Sequence, residues 1–338
     1  MYLSGGTCVT LIMIGGGTMK IFFQIVCEDE CNVKPLTTIE WYLVFTCLAI
    51  LLAQLPNLNS IAGVSLIGAI TAISYCTLIW VVSIIKGRPN GVSYDLPPEE
   101  PKSEMAGPFN VLNALGIIAF AFRGHNVVLE IQGTMPSSTK HPSRLPMWRG
   151  VKVSYLIIAV CLFPLALGGY WTYGNLIPGN GGMLNALYKH HKHDTSKALL
   201  GIACLLVVIN SLSSFQLYAM PVFDNLEVRY TTKMNRPCPR WLRSGFRVFF
   251  GCLALFISVA LPFLPSLAGL IGGIALPLTL AYPCFMWILV KKPRRYSASW
   301  CLNCLLGVLG MVLSVLVTTG AIWSIATMGI DVHFFKPQ

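Results

Sequence analysis

The sequence predicts an all-α polytopic membrane protein with nine transmembrane helices, forming one transmembrane domain over residues 1–338. Three observations predict it. Of the 338 residues, 55% are hydrophobic and 11% charged, against roughly 25% charged in ordinary soluble domains. The apolar residues gather into runs of about 20, which at ~1.5 Å per residue cross a ~30 Å hydrocarbon core. Basic residues sit in the short loops between those runs, as in chains oriented by a bilayer.

The nine apolar runs cover 3–27, 36–55, 61–85, 109–131, 151–173, 198–220, 246–264, 266–290 and 300–328. The first begins almost at Met1, with no basic leader and no small-residue cleavage pattern, so no cleavable signal peptide is expected. It carries Gly15-Gly-Gly17, which allows close helix approach or hinging, and Lys20, near enough to the helix end to snorkel. The second is the weakest, with Glu40 near its start and Pro56 closing it. The fourth holds Arg123 and Glu130 inside the membrane, where a charge costs about 2.5–3.5 kcal/mol on insertion scales. The sixth contains Asn210-Ser-Leu-Ser-Ser-Phe-Gln216, a polar stripe whose hydroxyls either coordinate a solute or bond to neighbouring helices. Only Pro262 to Pro265 separate the seventh and eighth, so a tight helical hairpin is expected. The eighth carries Gly269, Gly272, Gly273, Pro277 and Pro283, a pattern for close packing and a bend.

Loop charges set the orientation. The loops after the fourth, sixth and eighth runs, with Lys152 and Arg247 at the edges of the runs that follow, hold fourteen Lys and Arg and two acids, Asp224 and Glu227. The opposite side holds eight Lys and Arg with ten acids. The richer basic side is expected in the cytoplasm. Nine spans then place the N-terminus inside and the C-terminus outside. The net charge of +11 is accounted for in this way and does not call for a nucleic-acid partner.

Most of the twelve Cys lie within apolar runs as small packing residues. Cys27 and Cys31 share a loop and are either bridged or free. Cys301 and Cys304 have CxxC spacing without a second pair, a structural pattern. His190, His191 and His193 lie in an expected outer loop, read as solvated rather than as metal ligands. No metal site and no cofactor is expected. HExxH, P-loop, GxSxG and DFG patterns are absent, which excludes the corresponding enzymes and a self-contained nucleotide-driven pump.

The most informative segment is Phe120-Ala-Phe-Arg-Gly-His-Asn126 in the fourth run. Gly124 costs about 1 kcal/mol of helix propensity relative to Ala, and Arg123, His125 and Asn126 flank it. Either the helix unwinds here beside a polar cavity, freeing backbone groups for a solute or ion, or it kinks and its polar side chains reach a neighbour. Histidine is the side-chain type whose charge changes most readily near neutral pH, so His125 is a candidate proton carrier, and Glu130 is a second candidate for proton coupling or a partner for Arg123.

Residues Asn113 to Asn126, continuing through Val-Val-Leu-Glu-Ile-Gln-Gly-Thr-Met-Pro136, resemble the plant lysine/histidine transporter-like proteins of the amino acid/auxin permease family. Gln54-Leu-Pro-Asn-Leu-Asn-Ser-Ile-Ala-Gly63, Gly168-Gly-Tyr-Trp-Thr-Tyr-Gly174, the run from Leu261 to Gly272 and the C-terminal His-Phe-Phe-Lys-Pro-Gln338 extend the likeness over essentially the whole chain. The resemblance implies an eleven-helix leucine-transporter-type fold of two inverted repeats, with the first and sixth family helices broken at the substrate site. It implies proton-coupled symport of amino acids at the plasma membrane by alternating access, with the proton as coupling ion. The fourth run here matches the sixth family helix, so Phe120, Arg123, Gly124, His125 and Asn126 are expected to bind substrate. The sixth run matches the eighth, adding Ser211 and Ser214, while His125 and Glu130 are the proton-coupling candidates.

Nine runs leave the first two family helices unmatched, so an amino-terminal truncation is expected. The alternative function is therefore a non-transporting isoform that interacts with or regulates a full-length relative. Expected partners are amino acids and the lipid bilayer; oligomeric state is not fixed by the sequence.

Overall fold

The computed structural model describes residues 2–27, 36–54, 58–94, 106–122, 124, 127–178, 182–261 and 264–327. Among these residues the chain is helix and connecting turn, with no strand. Among the described residues seven helices are long and apolar enough to cross a membrane, and two shorter apolar helices, Thr38–Ala53 and Gly107–Ala121, bring the apolar segments to the nine expected. Among the described residues the chain is an all-α polytopic membrane protein.

The described residues divide into two compact units interleaved in sequence, one within 1–99 and 150–262 and the other within 100–149 and 263–327. The first contains α1 (Tyr2–Cys27), α2 (Thr38–Ala53), α3 (Leu58–Lys86), α6 (Arg144–Tyr173) from Gly150 onward, α7 (Gly182–His191), α8 (Lys197–Met234) and α9 (Arg240–Ala260). α8 is its axis, packing against α1 and α3.

Small residues set the spacing of α1 and α2. A Cβ at Gly15 would lie 2.1 Å from the Phe45 ring, and one at Gly16 would lie 2.5 Å from Tyr42. Glu40 is not a liability to α2. It closes a capping box, in which Glu40 N donates to Thr37 Oγ1 (3.4 Å) and Thr37 N donates to Glu40 Oε2 (2.5 Å), satisfying donors at the helix start. Lys20 Nζ donates to Thr38 Oγ1 at 2.9 Å, so its head is held by α2. At the other end of α2, buried Arg247 of α9 donates from Nη1 to the Ala53 carbonyl at 2.6 Å and lies over the Phe223 ring.

The second unit contains α4 (Ala106–Ala121), α5 (Val128–Thr134), α10 (Leu264–Leu276), α11 (Tyr282–Lys291) and α12 (Ala298–Thr327). α10 and α11 are joined by a π-helical turn, Pro277–Ala281. Pro277 and Pro283 bring no backbone N–H to the ladder, which accounts for the local widening.

Several helices outrun the apolar segments that announce them. α8 continues to Met234, fourteen residues past the expected end at 220, and stops at left-handed Asn235 (φ 50°). α6 begins at Arg144 rather than 151, and α9 at Arg240 rather than 246. Hydropathy detects the part of a helix in hydrocarbon, whereas backbone hydrogen bonding continues into its polar ends. The expected hairpin turn at Pro262–Pro265 falls partly outside the described residues, between α9 ending at Ala260 and α10 beginning at Leu264. Cys27 is disulfide-bonded, and Cys31 lies outside the described residues.

Candidate functional site

The fourth apolar segment is two helices. α4 ends at Ala121, Phe122 turns, Gly124 and Val127 are in 3-10 geometry, and α5 starts at Val128. No cap side chain closes the start of α5 at Val127. An interruption inside an apolar span frees backbone donors and acceptors that a continuous helix would satisfy internally.

Gly124 is exposed, and a Cβ built there would meet no atom of the described residues within 4 Å. Packing among the described residues therefore does not demand glycine at 124. Phe120, on the last turn of α4, is 7% exposed. Arg123, His125 and Asn126 lie outside the described residues. Glu130 is in α5, but its side chain lies outside the described part.

The α4 face leading to the break is held by close contact. A Cβ at Gly272 would lie 1.9 Å from the Gly116 carbonyl oxygen, and one at Gly269 would lie 2.0 Å from Asn113 Oδ1. Gly273 backs onto Thr318 of α12, and Ser314 of α12 donates to the Gly273 carbonyl at 2.8 Å. Phe109 of α4 stacks on Trp323 of α12 with ring centroids 4.7 Å apart. Glycine in α10 thus lets two backbones meet and fixes the segment that ends in Phe120.

Asn113 is a residue that composition and motif reading passed over. It is buried two helical turns before Phe120, and its Oδ1 has no hydrogen-bond partner among the described residues. The run 109–121 carries two amides, Asn110 and Asn113, and an amide inside an apolar run was the available signal.

Ser211 and Ser214 belong to α8, in the other compact unit. Ser211 is buried and Ser214 half-buried. Their neighbours in the polar stripe serve packing. Gln216 Nε2 donates to the Ala49 carbonyl of α2 at 2.9 Å, and Ser213 Cβ lies 3.1 Å from where a Cβ on Gly68 of α3 would stand. Thr7 of α1 adds a buried hydroxyl with no partner among the described residues. A groove of about 510 Å³ on α3, with Ser74 and Thr77 its only polar lining side chains, includes none of the expected site residues.

Comparison with known proteins places these features. The family described as transmembrane amino acid transporter protein matches residues 4–327. Lysine histidine transporter-like 8 of Arabidopsis thaliana is 60% identical over 337 residues, covering 100% of this chain and 64% of that relative. Lysine histidine transporter-like 7 of the same plant is 42% identical over 341 residues, covering 100% of this chain and 69% of the relative. GABA transporter 1 is more distant, at 25% identity over 347 residues, covering 98% of this chain and 71% of the relative. The chain therefore spans just under two thirds of the first relative's length. With nine apolar helices among the described residues, an interrupted fourth segment and a match over nearly its whole length, the chain belongs to the transmembrane amino acid transporter protein family and is not an enzyme.

Proposed function

We propose that the protein moves amino acids across the plasma membrane by proton-coupled symport with alternating access, its N-terminus cytoplasmic and its C-terminus extracellular. The observation that carries this reading is the interruption between α4 and α5 within an apolar segment of a chain of this family. Backbone groups released where α4 ends at Ala121 and α5 begins at Val128 would supply donors and acceptors for a small polar solute. Phe120, Gly124 and the polar residues Arg123, His125 and Asn126 surround them in sequence. Ser211 and Ser214 are the proposed contribution of α8, and His125 and Glu130 the proposed proton carriers.

The driving force is adequate. One proton moving through 100 mV yields about 2.3 kcal/mol, and one pH unit adds about 1.4 kcal/mol. Together they sustain roughly 500-fold accumulation of a neutral amino acid, since each 1.4 kcal/mol is tenfold.

The test is reconstitution of the chain into liposomes, with uptake of radiolabelled amino acids measured with and without an inward proton gradient. Gradient-dependent accumulation is expected. Folded, inserted protein that shows no gradient-dependent uptake refutes the proposal for this chain. Co-purification with a longer relative would then favour the non-transporting regulator. Uptake that ignores the gradient would mark a passive pathway.

A further inference from the structure

The segment between α6 and α8, expected to be a solvated loop, contains α7, and its histidines are not all in water. Leu184, Ala186 and Leu187 of α7 are buried. Leu184 and Leu187 join a core cluster with Ile25 of α1, Ile79 of α3, and Leu200 and Ala203 of α8. This docks α7 on the end of the first unit, where α3 ends and α8 begins.

The last turn of α7 carries His190 and His191. His191 is 5% exposed, and neither its Nε2 nor that of His190 has a hydrogen-bond partner among the described residues. Both imidazoles lie against the ring of Tyr173, the final residue of α6, at centroid distances of 5.9 Å for His190 and 5.6 Å for His191. Tyr173 is fully buried, and its hydroxyl donates to Ser83 Oγ of α3 at 3.1 Å.

The charged and titratable groups around His191 come from each neighbouring element. α3 supplies Lys86, whose ammonium donates to the Asp194 backbone carbonyl. The turn supplies the Asp194 carboxylate, α7 itself His190, and α6 Tyr173. α8 begins with Lys197, which is exposed, and α1 contributes the apolar Ile25. Burial lowers the proton affinity of His191 below that of a free imidazole; Asp194 and a backbone hydrogen bond at Gly87 offset this, while His190 and Lys86 add to it.

We propose that His191 is a proton-binding site that latches α7: the neutral imidazole lets the helix dock against α3, α6 and α8, and protonation releases it. The sign follows from linkage. Above about pH 6.5, the value for a free histidine, the imidazole is neutral whether α7 is docked or released, and docking does not depend on pH. Below it, the released state takes up a proton that the docked state resists. The docking equilibrium then falls by up to about tenfold per pH unit until the docked imidazole itself protonates.

The test uses the full chain in lipid nanodiscs. Amide hydrogen exchange in residues 182–191 is followed between pH 7.5 and 5.5, corrected for the intrinsic pH dependence of exchange. Protection of α7 should hold from pH 7.5 to 6.5 and drop up to about tenfold by pH 5.5, with α12 unchanged. His191→Gln should flatten the response and His190→Gln should keep it. Protection that is flat with pH in the unmodified chain, a response that survives His191→Gln, or one abolished by His190→Gln would overturn the assignment. Carbon-13 imidazole titration of the unmodified chain checks it without any variant: His191 must titrate below 6.5, and a value at or above 6.5 overturns it. Neither readout requires solute uptake, so this test and that of transport fail separately.

Discussion

Replacing Gly272 by alanine tests whether backbone contact between α10 and α4 supports the segment that ends at Phe120. The added Cβ would stand 1.9 Å from the Gly116 carbonyl oxygen, 2.8 Å from its carbonyl carbon and 3.0 Å from the Phe120 amide nitrogen. Ordinary contact begins near 3.4 Å, so the shortfall at the oxygen is 1.5 Å. All three atoms are backbone and none can rotate away, so the helices must separate. A gap of 0.5–1 Å already forfeits a quarter to a half of each dispersion contact. Overpacking of this kind costs about 1–3 kcal/mol, and the rigid partners place Gly272→Ala at the upper end, about 3 kcal/mol. At about 2.1 cal/mol/K per residue, a chain of 338 residues melts about 1.4 °C lower per kcal/mol lost, so Tm should fall by about 4 °C in nanodiscs, measured by thermal unfolding. Gly124→Ala, with open space at its Cβ, is the control and should leave Tm within about 1 °C. Equal melting of Gly272→Ala and the unmodified chain would refute the reasoning, as would a Gly124→Ala loss as large as that of Gly272→Ala.

Other perturbations separate packing from transport. Gly124→Leu projects a large side chain into space left open beside the α4–α5 break. Reconstituted uptake should be lost while insertion and Tm are kept, and surviving uptake would show that this space is not the solute path. Arg247→Met deprives the Ala53 carbonyl of its donor and should cost about 1–3 kcal/mol. Arg243→Ala removes a partly exposed 2.8 Å pair with Glu227 and should cost under about 1 kcal/mol, so the two melting curves should differ. Tyr173→Phe removes the donor to Ser83 and should lower stability by about 1 kcal/mol, read as a small drop in Tm.

The apolar helices were legible because hydrocarbon thickness imposes a run length that hydropathy can find. The break before Val128 was legible because Gly124 and its polar neighbours have no place in a continuous lipid-facing helix. The glycines of α10 announced close packing, but not that Gly272 meets Gly116 while Gly269 meets Asn113, since a partner across two helices leaves no local mark. Glu40 was counted against α2, although Thr37-Thr-Ile-Glu40 carries the capping-box spacing. Tertiary burial hid α7 altogether. Its ten residues are too short and too polar overall for a span, and only their docking on Ile25, Ile79 and Leu200 takes His191 out of water.

The length of α8 has a mechanical consequence. Its 38 residues make a rod of about 57 Å at ~1.5 Å per residue, nearly twice the ~30 Å of hydrocarbon it crosses. Such a rod is a lever. Met234 lies about 34 Å along it from Ser211, so a 10° tilt about Ser211 would sweep that tip sideways by about 6 Å. Ångström-scale adjustments deep in the bilayer would thereby be amplified at the surface, and Pro221, partway along the arm, is where the rod lacks a backbone donor.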